Sequence, residues 1–100
     1  MIIRGTTPNM TFVLPFDAEM VAVGYVTVQQ NDTTIIEKQL SDCVCGVRTV
    51  SAKLAQEDTL KLSSDINAEI RLVVKTLDGD RFESAKIIER VTNTSKEGVI

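Results

Sequence analysis

The closing third of the chain most limits what it can fold into: two apolar-rich runs, residues 69–77 and 81–91, are joined across Asp78-Gly79. Aspartate followed by glycine between such runs predicts a two-residue hairpin turn, because a turn that matches strand twist needs positive φ. In the first run, Ile70, Leu72 and Val74 form the inward set and Arg71 and Lys75 the outward set, while Val73 leaves the outer face partly apolar. In the second, Phe82, Ala85, Ile87 and Val91 are the inward positions. The change of parity between Phe82 and Ala85 predicts a bulge or twist near Ser84. These signals predict an all-β protein.

The remainder follows the same rhythm of short segments punctuated by Gly, Pro, Asn, Asp and Ser. Residues 2–5 read as a short first strand and residues 10–14 as a second, with Phe12, Leu14 and Phe16 on one face before Pro15 ends the pairing. Residues 20–30 form a long strand apolar on both faces, which predicts a central position. A turn at Asn31-Asp32 leads into residues 33–40, which end at Ser41-Asp42. Residues 43–45 form a short strand. In residues 47–54, Val50, Ala52 and Leu54 alternate with Thr49, Ser51 and Lys53 and are expected to face the core. Residues 55–60 are the one place for a short helical corner turn. The polar tail, residues 93–100, is expected to fray.

At 100 residues with 43% apolar content, the chain is sized for a single domain with one modest core. The net charge is -3, and the eleven Lys and Arg are dispersed rather than gathered in a block. Counterion release from phosphates therefore offers no general source of affinity, and a nucleic-acid partner is not expected. The opening Met1-Ile2-Ile3-Arg4-Gly5 is too short for a signal-peptide apolar region or a membrane span, so neither export nor a membrane partner is expected. The expected location is the cytoplasm in which the chain is made. Three sequons, at Asn9, Asn31 and Asn93, have no secretory route to serve in this reading.

The chain contains no histidine, which removes the commonest general base, the commonest metal ligand and every Ser-His or Cys-His nucleophile pair. Glu57-Asp58 are adjacent carboxylates that point in different directions, so they do not make a two-carboxylate site by themselves. Asp78-Gly79-Asp80 would read as part of a calcium loop if Asp32 or Asp65 lay nearby, but the full loop pattern with its terminal Glu is absent. No glycine-rich phosphate loop is present. Cys43 and Cys45 on one strand face would lie ~6.5 Å apart, which favours free thiols over a strained disulfide. With no other cysteine and no histidine beside them, they do not make a zinc site. No catalytic residue, cofactor or metal ligand is expected. Of the few aromatics, Tyr25, Phe16 and Phe82 are the candidates for a loop-tip recognition site.

The opening Met1-Ile2-Ile3-Arg4-Gly5-Thr6-Thr7-Pro8, followed by Thr11-Phe12 and Leu14-Pro15-Phe16, resembles small prophage-encoded proteins of anaerobic Firmicutes. The block Leu54-Ala55-Gln56-Glu57-Asp58-Thr59-Leu60, with Leu77-Asp78-Gly79-Asp80 after a strand, is similar in layout to the immunoglobulin-like N-terminal domain of phage baseplate upper proteins. The cysteine pair departs from that pattern. The resemblance implies a non-enzymatic phage structural or assembly component, built into a particle or used in making one. Strand count and domain size predict an immunoglobulin-like antiparallel β-sandwich of about seven strands. Its partners would be copies of itself, as a homo-oligomer, or other phage structural proteins. The partly apolar outer face at Val73, Val21, Val23 and Tyr25, together with the terminal strand and tail, would carry the contacts. The alternative is an adhesion module that recognises a surface glycan or protein through end loops.

Overall fold

The computed structural model describes residues 1–100 and is built almost entirely of strands. These are β1 (Ile2–Ile3), β2 (Asn9–Val13), β3 (Val21–Gln30), β4 (Thr33–Gln39), β5 (Val44–Cys45), β6 (Thr49–Lys53), β7 (Ala68–Thr76), β8 (Arg81–Glu83), β9 (Ile87–Glu89) and β10 (Val91–Thr92). The helical turn α1 (Gln56–Leu60) stands at the expected corner. Two 3-10 turns, Ala18–Met20 and Leu40–Asp42, have no counterpart in the alternation pattern. There are more segments than the expected seven or so, chiefly because the last expected strand is broken into β8, β9 and β10. The first break falls at Ser84, whose hydroxyl accepts from Leu72 N–H, as the parity change predicts.

One sheet runs β4-β3-β7-β8, with β9 also on β7, and a second runs β2-β6-β5. The chain therefore crosses between sheets after β2, after β4 and after β6. This interleaving is that of an immunoglobulin-like sandwich, with β4 as an added edge strand. A wholly antiparallel arrangement is corrected at β1, which runs parallel to β10 with Ile2 opposite Val91 and Ile3 opposite Thr92. The pairing places Ile2 and Val91, both buried, at the margin of the core.

Alternation places the interior. Ala68, Ile70, Leu72 and Val74 of β7, with Val26 and Val28 of β3, form one core cluster with Phe12, Val50, Ala52 and Leu54. Each fully buried Leu, Ile or Val contributes about 1.5–3 kcal/mol relative to exposure. Gly24 lies opposite Val74 within this layer, where an added Cβ would stand 3.0 Å from Val74 Cγ1 and 3.5 Å from Leu40. No helix is long and apolar enough to cross a membrane.

Three local expectations are corrected. The β7–β8 connection is not a two-residue turn at Asp78-Gly79. Thr76 N–H donates to the Asp80 carbonyl, Gly79 N–H donates to the Thr76 carbonyl, and only Gly79 has positive φ, at +89°. This is a three-residue loop that uses glycine for its left-handed position. The two-residue turn lies instead at Asn31-Asp32, both with positive φ, between paired Gln30 and Thr33. Val21 is the second correction. A register shift between Val21 and Val23 inserts one residue and reverses parity, so Val21 packs against the core while Val23 remains outside. The third concerns Ala85 and Ile87: Ala85 is exposed because it falls in the gap between β8 and β9, and Ile87, though paired with Ile70, lies on the edge strand and is 38% exposed.

Polar clamps close the end that carries α1. Arg4 donates from Nε to the Leu62 carbonyl at 2.8 Å and from Nη2 to the Leu60 carbonyl at 2.9 Å, satisfying groups that the helical turn leaves unpaired. Its Nη1 reaches Asn93 Oδ1 and Glu97 Oε1 in the tail, and Ile100 N–H donates to Gln56 Oε1. Buried Thr59 donates to the Thr6 carbonyl and accepts from Gly5 N–H. Gln30, 4% exposed, donates to the carbonyls of Ser63 and Ile66 and accepts from Ser63 N–H.

Candidate interaction surface

The outer face of the five-stranded sheet is assembled by register. Gln39, Tyr25, Val73 and Glu83 stand side by side on β4, β3, β7 and β8. Val23, Lys75 and Arg81 form the adjoining row. On the other side, Glu37, Thr27 and Arg71 form the next. Tyr25 is 38% exposed and Val23 48% exposed, with Val73 half-buried between Tyr25 and Glu83. These three side chains make an apolar centre bordered by charge. A hollow of about 270 Å³, lined by Val23, Tyr25, Val73, Lys75 and Arg81, opens on one flank. A second, of about 170 Å³, lies on the Leu40 side. Both are smaller than the usual volume of a small-molecule site. Toward the far end the face becomes polar, with Lys86 and Glu69 paired at 3.4 Å. Arg81 and Glu83 are also 3.4 Å apart at the β8 margin.

The aromatic candidates do not gather at a loop tip. Phe16 and Phe82 pack edge to face, centroids 5.7 Å apart at 83°, and both lean on the core. Tyr25 belongs to the sheet face.

The carboxylate and thiol candidates have structural employment. Asp58 accepts from Ala55 N–H at 3.0 Å and pairs with Lys38 Nζ at 2.7 Å, tying α1 to β4. Burial works to raise its carboxyl. The Lys38 hydrogen bond, the Ala55 N–H and the charges of Lys38 and Lys61 outweigh burial and hold it below the usual carboxylate range. Glu57 is exposed, and the two acids do not converge. Cys43 and Cys45 are free thiols, and Cys43 Sγ donates to the Gln39 carbonyl at 3.4 Å. Burial pushes the Cys43 thiol up, and Cys45 and Asp42 add to this against the opposing charge of Lys38. A thiol so shifted yields less thiolate at neutral pH and is a poorer nucleophile. Asp32, Asp65, Asp78 and Asp80 are not brought together, as no three His, Cys, Asp or Glu side chains converge anywhere in the chain.

Sequence reasoning placed Val23, Tyr25 and Val73 on this face and missed that Val21 leaves it. It also missed Arg4, Gln30 and Thr59, whose partners lie more than 30 residues away and leave no local pattern. Comparison with family models, curated proteins and solved structures finds no match for this chain.

Proposed function

We propose that this chain is a non-enzymatic structural or assembly protein of a phage or prophage-derived particle, acting through protein–protein contacts. The observation that carries the reading is the apolar centre of Val23, Tyr25 and Val73 on an outer sheet face with a charged border. An apolar core with a polar rim is the anatomy of a protein contact rather than of a small-molecule pocket. The likeness of the opening and corner segments to prophage proteins supplies the particle context, with synthesis in the host cytoplasm. The adhesion alternative draws less support, because Phe16 and Phe82 are spent on each other and Tyr25, though exposed, stands on the sheet face rather than at a loop tip.

Val73→Lys tests the reading while sparing the fold, since the new ammonium would stand opposite Glu83 on β8. The mass measured by light scattering should fall in this variant, and a tagged wild-type chain should co-sediment with particles from an induced lysogen. A mass unchanged by the substitution, with the chain absent from particles, overturns the proposal.

A further inference from the structure

The edges of the two sheets are not equally protected. β4 carries outward Glu37 and turns Lys38 toward the interior, where it meets Asp58. β8 bears Arg81 and Glu83, and that edge is interrupted before β9. β5 has only two residues. Outward charge, inward charge, interruption and shortness are the devices that keep sheet edges from pairing with other chains. β2 has none of them. Its five residues, Asn-Met-Thr-Phe-Val, contain no charge and no proline, and its register with β6 is unbroken from Asn9–Lys53 to Val13–Thr49.

The backbone of β2 is also oriented for pairing. Leu54 N–H donates to the Pro8 carbonyl and Leu14 N–H donates to the Arg48 carbonyl, so the even-numbered residues face β6. By the alternation of an antiparallel ladder, the N–H and C=O groups of Asn9, Thr11 and Val13 point away from β6. No other strand lies on that side of β2.

We infer that the β2 edge pairs with the β2 edge of a second copy about a two-fold axis at Thr11. Antiparallel pairing centred there sets Thr11 opposite Thr11 and Asn9 opposite Val13, so every outward N–H and C=O acquires a partner. On the outer face this opposes threonine to threonine and a neutral amide to valine, with no like charges meeting. On the inner face, half-buried Met10 comes beside Phe12 of the other copy. A two-fold contact must be self-complementary, and a neutral strand with its outward groups symmetric about one residue meets that condition. The two three-stranded sheets become one continuous sheet across the pair. The inference deepens the assembly reading and rests on it for its role, but it uses a different surface from Val23, Tyr25 and Val73.

Sedimentation of the full chain tests it, with Val73→Lys as the background so that the sheet face is silenced. That variant should sediment with the mass of two chains. Adding Thr11→Lys, which places like charges opposite each other, should weaken the dimer at least several-fold. Adding Thr11→Pro, which deletes an edge-facing N–H that β6 does not use, should abolish it, with far-ultraviolet dichroism unchanged. A Val73→Lys chain that is monomeric throughout its soluble range overturns the edge pairing and leaves the assembly reading standing. A dimer that survives both Thr11 substitutions also overturns it. Loss of mass on Thr11 substitution, with none on Val73→Lys, supports the edge and removes the face.

Discussion

The middle of the sandwich and its α1 end are held by different physics. Between the sheets, Leu72, Ile70, Val26, Val50 and Leu54 are buried to 1% exposure or less, with no polar group among them. Around α1, the fold depends on Arg4, Gln30, Thr59 and the Asp58–Lys38 pair, each bonded to groups far away in sequence. The first region tolerates little loss of volume. The second tolerates little loss of polar partners. The contrast teaches that a small β domain can close its core with dispersion and burial while its open end is fastened by directional bonds.

The sharpest way to break this contrast is to remove volume from the middle. Leu72→Ala should cost about 2–5 kcal/mol, because the cavity adds to the lost transfer energy. Urea denaturation measures it, and a cost below about 1 kcal/mol would mean that the sheets do not interdigitate there. Gln30→Leu keeps nearly the same volume but removes three hydrogen bonds, so a cost of about 1–3 kcal/mol isolates the polar contribution. Amide exchange should accelerate at Ser63, whose N–H loses its acceptor. A neutral result would show that loop 63–66 holds its place without Gln30.

The smallest effect is electrostatic. Folding lowers the Asp58 carboxyl below its ordinary value of 3.8, so the unfolded chain binds the proton more readily. The contribution of this group is complete above that ordinary value and drains as pH falls through the lower folded value. Acid titration of stability should therefore be flatter in Asp58→Asn than in the wild type. Parallel acid profiles for the two chains would show that Lys38 and the α1 amide do not favour the charged form.

The same division explains what was legible in the sequence. Burial in strands repeats every second residue, so the inward sets of β6 and β7 could be named from spacing alone. Bulges shift that count by one without a reliable mark. The mark was visible near Ser84, where parity changes among apolar residues, and invisible near Ala22, where valines on both sides read equally well inward or outward. Turn geometry was partly readable. Asp78-Gly79 announced a hairpin, but a glycine in left-handed backbone serves a three-residue loop as well as a two-residue one. The candidate face was legible at Val73 because an apolar residue interrupts a polar outer row. Arg4, Gln30 and Thr59 obey no period, since each bond joins segments that meet only after folding.

The parallel match of Ile2 and Ile3 with Val91 and Thr92 has a consequence for synthesis. Bringing together stretches almost a full chain length apart carries a loop-closure penalty that earlier contacts must already have reduced. On a ribosome, the opening stretch must wait until the tenth strand has left the exit tunnel. The first strand is thus seated only after the tenth has emerged, and any nascent-chain stall before residue 91 leaves Ile2 without its mate.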